Sequence, residues 1–89
     1  MQAFVSVLDR VMAQYYGEAV RVNSMSDEYE YISAHPCPNC GGRWKVRMQA
    51  LLQDAQGRHY DRVDVICRQC KGCQAFLFDI DSFFEGSRD

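Results

Sequence analysis

Five cysteines carry the most recognisable chemistry of this sequence. Four of them form two Cys-x-x-Cys pairs, Cys37 with Cys40 and Cys67 with Cys70, which are separated by 26 residues. Each pair can place two thiolates on one side of a tight turn, and two such turns can complete a tetrahedral shell of four sulfurs around a metal ion. A β-hairpin between the pairs explains the length of the spacer. The spacing therefore predicts one metal ion per chain.

The fifth cysteine leaves the ligand set open. Cys70 and Cys73 also have Cys-x-x-Cys spacing, so Cys73 can substitute for Cys67 as a ligand. We favour Cys67, because the apolar run before it is typical of a strand that leads into a metal-binding turn. Cys73 is then a small apolar residue at the start of the last strand, or a partly exposed thiol. His35 and His59 are further candidates, but we expect His35 in a turn before Cys37 and His59 on the exposed face of the hairpin.

The sequence Cys-Pro-Asn-Cys-Gly at 37–41 resembles the knuckle, or metal-holding turn, of the zinc-ribbon class, and the resemblance covers roughly residues 36–80. It implies a three-stranded antiparallel sheet with two zinc knuckles. Zn²⁺ is the expected metal. Iron in a rubredoxin-like site uses the same four thiolates, but rubredoxins are typically acidic throughout and this region is basic. Because no ligand position is left open, we expect a structural metal whose binding energy helps to fold the domain.

The elements that position the cysteines follow from the hydrophobic pattern. Apolar residues recur at steps of three and four over residues 3–16, which predicts an N-terminal amphipathic helix that ends at Gly17 and packs on the sheet. Residues 19–22 and 29–32 have the pattern of short strands, and a polar turn is expected between them, at 23–27. The fold class is therefore α+β, a zinc ribbon elaborated by an N-terminal helix.

Three longer alternating segments predict the strands of the ribbon, and they span residues 43–53, 58–66 and 74–80. Gly57 is well placed for a left-handed conformation in the hairpin turn at 54–57. The alternation assigns one face of the first strand to Arg43, Lys45, Arg47 and Gln49 and the other to Trp44, Val46, Met48 and Ala50. The last residues, 81–89, form a predicted C-terminal latch in which Phe83 and Phe84 are apolar contacts.

The composition bounds the class of protein. The chain has 89 residues, of which 47% are hydrophobic and 25% are charged, which fits one soluble globular domain over residues 1–89. No apolar run approaches the roughly 20 residues that a membrane span requires. The N-terminus lacks the pattern of a signal peptide, and clustered cysteines in a reducing compartment more often bind metal than form disulfides, so we expect a cytoplasmic location.

The net charge of −2 hides a strong asymmetry along the chain. Residues 41–73 carry a net charge of +4, whereas residues 1–40 and 74–89 each carry −3. A basic hairpin of this kind is compatible with cross-strand ion pairs to Asp61 and Asp64, or with a nucleic-acid surface that contacts phosphates independently of sequence. The candidate nucleic-acid residues are Arg43, Lys45, Arg47, Arg58, Arg62, Arg68 and Lys71.

The chain offers no catalytic constellation. Transcript-cleavage ribbons resemble this architecture, but they rely on an acidic pair at the hairpin tip, where this chain has Asp54 alone. We therefore expect a non-catalytic interaction module, without a small-molecule substrate, whose partner is nucleic acid or a nucleic-acid-associated complex. The alternative is a redox or electron-transfer protein that uses a rubredoxin-like iron site or a reactive Cys73. A third class is protein binding, for which residues 27–31 and the pair Phe83 and Phe84 are the candidate docking segments. A monomer is expected unless the N-terminal helix forms a dimer.

Overall fold

A computed structural model describes residues 14–84, which form an α+β fold with one short helix and a four-stranded sheet. The elements, in chain order, are β1 (Val20–Arg21), α1 (Met25–Ala34), β2 (Trp44–Gln53), β3 (His59–Cys67) and β4 (Cys73–Asp79). The strands lie in the order β1-β4-β3-β2, with β1 parallel to β4 and the other neighbours antiparallel. The three long strands start and end within one residue of their predicted bounds. The sheet has four strands rather than three, because the segment at 19–22 pairs with β4.

The β2–β3 turn explains the register of the hairpin. Asp54 Oδ1 accepts hydrogen bonds from the backbone N–H groups of Gln56 and Arg58, at 2.9 Å each. Gly57 has a φ of +88°, in the left-handed region that favours glycine. Tyr60 reaches back from β3 and donates a hydrogen bond to Asp54 Oδ2 at 2.8 Å. The predicted hairpin turn is confirmed, and Asp54 stabilises it rather than standing free at the tip.

Helix α1 replaces the strand that was predicted over residues 29–32. The side chain of Ser24 caps the helix by accepting a hydrogen bond from Asp27 N, and Asp27 Oδ2 accepts from Asn23 N at 3.0 Å. Glu28 and Ile32, four residues apart, are the buried residues of the helix. The strand prediction was wrong, because an alternation over four residues is a weaker signal than a capped helix. The polar turn predicted at 23–27 instead contains the helix cap and the first turn of the helix.

A β-bulge in β2 changes which of its residues share a face. Trp44 pairs with Cys67 and Val46 with Val65, but the register then shifts, and Met48 pairs with Asp64. The extra residue reverses the alternation, so Met48 lies on the face opposite Val46. The prediction that Trp44, Val46, Met48 and Ala50 share one face was therefore wrong.

The core lies between α1 and one face of the sheet, which we call the helix face. Tyr31 of α1 contacts Phe76 and Phe78 edge-on, with ring centroids 6.0 and 5.7 Å apart. The buried apolar residues of this core are Val22, Ile32, Val63, Val65, Phe76, Phe78 and Ile80. The alternate residues of β3 and β4 form the opposite face, where the rings of Tyr16 and Tyr60 contact each other at an angle of 32°, with their centroids 4.5 Å apart.

The structure describes part of the predicted N-terminal helix and part of the predicted C-terminal latch. Of the predicted N-terminal helix, residues 3–13 lie outside the described residues, and residues 14–17 are helical. Phe83 and Phe84 are half-buried against the core, as expected for a latch, whereas residues 85–89 lie outside the described part. Among residues 14–84 there is no helix of the length and hydropathy needed to cross a membrane.

Candidate metal centre

Two turns of the same backbone design close one end of the sheet. The first spans residues 37–42 and leads into β2, and the second spans residues 67–72 and joins β3 to β4. In the first turn Cys37 N donates to Gly42 O at 3.0 Å, and Gly41 N donates to Cys37 O at 2.7 Å. The second turn repeats both bonds, from Cys67 N to Gly72 O at 2.8 Å and from Lys71 N to Cys67 O at 3.0 Å.

The repeated hydrogen bonds show which residues of the two turns are equivalent. Gly41 has a φ of +77° and Lys71 a φ of +68°, so a lysine occupies the left-handed position that glycine fills in the first turn. Gly72 is the counterpart of Gly42, five residues after the first cysteine of its pair.

The two turns bring four sulfurs together. The Sγ atoms of Cys37, Cys40, Cys67 and Cys70 all lie within 4.8 Å of one another. Across the turns, Cys37 Sγ lies 3.6 Å from Cys70 Sγ, and Cys40 Sγ lies 3.4 Å from Cys67 Sγ. Metal–sulfur bonds of about 2.3 Å at tetrahedral angles place neighbouring sulfurs about 3.8 Å apart. The four cysteines are therefore positioned to hold one metal ion.

The electrostatics of the cluster also fit a cation. The backbone N–H of Cys70 donates to the Cys67 sulfur and lowers the pKa of that thiol to about 6. The N–H of Gly42 lowers the pKa of Cys40, but the neighbouring sulfurs and burial outweigh it and raise this pKa to about 12. Four sulfurs so close together cannot all ionise unless a positive charge compensates them, and a bound metal ion supplies that charge.

Tight packing holds the two turns against each other. Gly42 is buried between them, and a Cβ at this position would lie 2.8 Å from Cys67 Sγ and 2.9 Å from the Cβ of Gln69. Arg68 N also donates to Arg43 O at 2.8 Å, which joins the backbone of the second turn to the residue before β2. Cys37 and Cys67 are buried, whereas Cys70 is exposed at the surface.

The remaining candidate ligands lie outside this cluster. Cys73 is exposed, and its sulfur lies 3.6 Å from Arg47 Nη1. The His35 ring stacks on Tyr31, and its Nδ1 lies 2.8 Å from Tyr31 O. His59 is half-buried, with Nδ1 3.1 Å from Asp81 Oδ1, so its predicted position on an exposed face was wrong.

The candidate nucleic-acid residues fall into two groups. Arg58 pairs with Asp79 at 3.0 Å, and Arg62 pairs with Asp64 at 2.9 Å. Within the described range 14–84, the other five make no ion pair, and they are Arg43, Lys45, Arg47, Arg68 and Lys71.

The predicted row of Arg43, Lys45, Arg47 and Gln49 is kept only in part. Arg43 precedes β2 and, with Arg68, lines a cavity of about 300 Å³ beside α1. Lys45 pairs in register with Ile66 on the opposite face. Arg47 lies at the bulge and, with Arg62, lines a cavity of about 480 Å³. Arg47 Nη1 lies 3.6 Å from Cys73 Sγ, and Cys73 pairs with Ile66, so Arg47 and Lys45 share this face. The predicted row was wrong at Gln49, which follows the bulge and pairs with Val63 on the helix face.

Comparison of the whole chain with protein-family models, with characterised proteins and with solved structures gives no match. The assignment of function therefore depends on the chemistry of the side chains.

Proposed function

We propose that the chain is a zinc-ribbon protein in which Cys37, Cys40, Cys67 and Cys70 hold one structural Zn²⁺, and that it acts as a non-catalytic module that binds nucleic acid or a nucleic-acid-associated complex. The observation that carries the metal assignment is the convergence of four sulfurs within 4.8 Å, on two turns with the same hydrogen bonds. A closed set of four protein ligands is typical of structural zinc.

The identity of the metal separates this proposal from electron transfer. Zinc has no redox chemistry, whereas iron held by the same four thiolates is coloured and changes oxidation state. Elemental analysis of the purified protein is expected to give one zinc per chain and a colourless solution. A red protein with stoichiometric iron would instead support a rubredoxin-like electron carrier.

The nucleic-acid part of the proposal is supported by charges that the fold leaves uncompensated. Arg58 and Arg62 already hold carboxylates, so their interaction with a phosphate would first cost an ion pair. The exposed side chains of Lys45 and Arg47, and of Arg43 and Arg68, have no such partner among residues 14–84. Lysine and arginine that neutralise phosphates release counterions, so binding is expected to weaken as salt rises.

The test is binding to single- and double-stranded oligonucleotides by fluorescence anisotropy at several salt concentrations. Lys45→Ala/Arg47→Ala is expected to weaken binding and to reduce the salt slope by about 1 to 2, since each lost phosphate contact contributes about 0.7 to 0.9. Arg58→Gln/Arg62→Gln removes the same charge from ion-paired positions and should reduce the affinity and the salt slope by less. No binding at low salt, or equal losses for the two double variants, would contradict the proposal.

A further inference from the structure

A second group of polar side chains lies beneath α1, apart from the cysteine cluster. Glu28 is fully buried, and no N–H or hydroxyl donor among residues 14–84 reaches either of its carboxylate oxygens. Buried polar groups are almost always hydrogen-bonded, because a group that loses water without a replacement destabilises the fold. A buried carboxylate that no such donor reaches therefore requires an explanation.

A second carboxyl lies beside Glu28. The pKa of Glu28 is raised to about 8, chiefly by burial and then by the neighbouring Asp61, which shares a hydrogen bond with the protonated carboxyl and repels its ionised form. Asp61 projects from β3 and is itself buried. Its Oδ2 accepts a hydrogen bond from Gln49 Nε2 at 3.0 Å, which orients the carboxylate. Two carboxyls thus share one site, and no cationic side chain is paired with either of them in the described part of the chain.

The carboxyl pair lines a cavity of about 470 Å³. This volume is within the range of about 300–1,000 Å³ that is usual for small-molecule sites. The rest of the lining is largely apolar, and its large side chains are Met25, Leu51, Ile80, Phe83 and Phe84. An apolar cavity with a few convergent polar groups is the usual form of a site for a small organic ligand.

We propose that this cavity binds a small organic cation, a primary ammonium on an apolar or aromatic body. The ammonium has three donors and one positive charge, so it can replace the proton that Glu28 shares with Asp61, donate to both carboxylates and compensate their charges. The body of the ligand packs against the apolar lining, and the aromatic rings there favour a nearby cation. A divalent metal ion fits less well, because two carboxyls in an apolar cavity leave most of its oxygen ligands unsupplied.

The first test compares two ligands of the same shape. Phenethylammonium and the uncharged 2-phenylethanol are titrated into the full-length, metal-loaded protein at neutral pH, and binding is followed by calorimetry and by amide shifts in NMR spectra. The ammonium is expected to bind at least about tenfold more tightly, because hydrogen bonds to charged groups are the stronger ones. No binding of phenethylammonium at millimolar concentration, or equal affinities for the two ligands, would overturn the proposal.

The second test locates the site with three variants. Glu28→Gln keeps the shape of the side chain but cannot give up a proton and become negatively charged when the ammonium binds, so it is expected to weaken phenethylammonium binding at least about tenfold. Leu51→Arg places a cation on the cavity lining at a residue that is 58% exposed, so it should abolish binding without disturbing the fold. Met48→Arg is the matched control, since Met48 is 59% exposed and lies on the opposite face. Unchanged affinity in Glu28→Gln, or equal losses in the two arginine variants, would refute the assignment.

Discussion

The substitution Gly42→Ala tests directly whether the packing of the two cysteine turns determines metal binding. The backbone of Gly42 does not have a positive φ, so alanine is compatible with its conformation, and the effect must arise from the added methyl group. That methyl would lie 2.8 Å from Cys67 Sγ, 2.9 Å from Gln69 Cβ and 3.2 Å from Cys40 Sγ. Two of these three atoms belong to the second turn, so the clash forces the two turns apart.

The size of the effect follows from these distances. Non-bonded carbon atoms normally approach to about 3.5–4.0 Å, so the methyl overlaps its neighbours by up to about 1 Å. The Cβ of Gln69 is fixed by the backbone, and Cys67 Sγ is held by its place in the cluster, so neither can rotate away. Overpacking of this kind costs about 1–3 kcal/mol. If half of this cost falls on the metal-bound arrangement, the affinity for metal decreases about two- to tenfold.

The assay is chelator competition for Zn²⁺ with Gly42→Ala, with Gly41→Ala as the matched control. Gly41 has a φ of +77°, and an added Cβ there meets no atom within 4 Å. Gly41→Ala should therefore cost about 1 kcal/mol of folding stability through left-handed backbone strain, while the sulfurs keep their positions. Wild-type zinc affinity in Gly42→Ala, or a larger loss of affinity in Gly41→Ala, would refute the reasoning.

Three further predictions concern other parts of the fold. Cys67→Ser is expected to lose the metal and to unfold the ribbon, whereas Cys73→Ser keeps one metal per chain by elemental analysis, and the reverse result would move the ligand pair to Cys70 and Cys73. The pKa of Glu28 rises from 4.5 to about 8 on folding, so the native state holds the extra proton, and its stabilising effect is lost as the pH rises from about 4.5 to about 8. Relative to Glu28→Gln, the wild type should therefore lose at least about 2 kcal/mol of unfolding free energy over this range, measured by urea denaturation, and parallel pH profiles would contradict this. Ser24→Ala removes the cap of α1 and should cost about 1 kcal/mol in the same assay, whereas Ser33→Ala, at an exposed position inside the helix, should cost nothing.

The long strands could be predicted because two independent signals agree in each of them. In β3, alternate apolar residues such as Val63 and Val65 mark the buried face, and the hairpin turn at Asp54 and Gly57 fixes where the strand starts. Helix α1 could not be recognised in the same way. Its two buried residues are Glu28 and Ile32. A hydrophobic pattern treats glutamate as an exposed residue, so the pattern does not reveal the buried face of this helix.

The cysteine cluster could be inferred from spacing alone, but the surroundings of the cluster could not. A bulge has no sequence signature as clear as a Cys-x-x-Cys pair, and a single extra residue between Val46 and Met48 reverses the faces of the rest of β2. Ion pairs such as Arg58 with Asp79 depend on which strands are neighbours, and the pairing of β3 with β4 decides this. The distribution of charge along the chain therefore predicts a basic hairpin but not which of its cations are already compensated.

The two ends of the sheet are stabilised by different means. At the hairpin end, direct contacts between side chains connect the strands, as Arg58 does with Asp79 and Tyr60 with Asp54. At the other end the two cysteine turns connect β2, β3 and β4, where the four sulfurs repel one another once ionised and need a cation. Among residues 14–84, the apolar core lies on the helix face and contains seven buried residues, a small core that metal binding commonly supplements in domains of this size. Removing the metal should therefore loosen the cysteine end first, since the ion pairs and hydrogen bonds of the hairpin end do not depend on it.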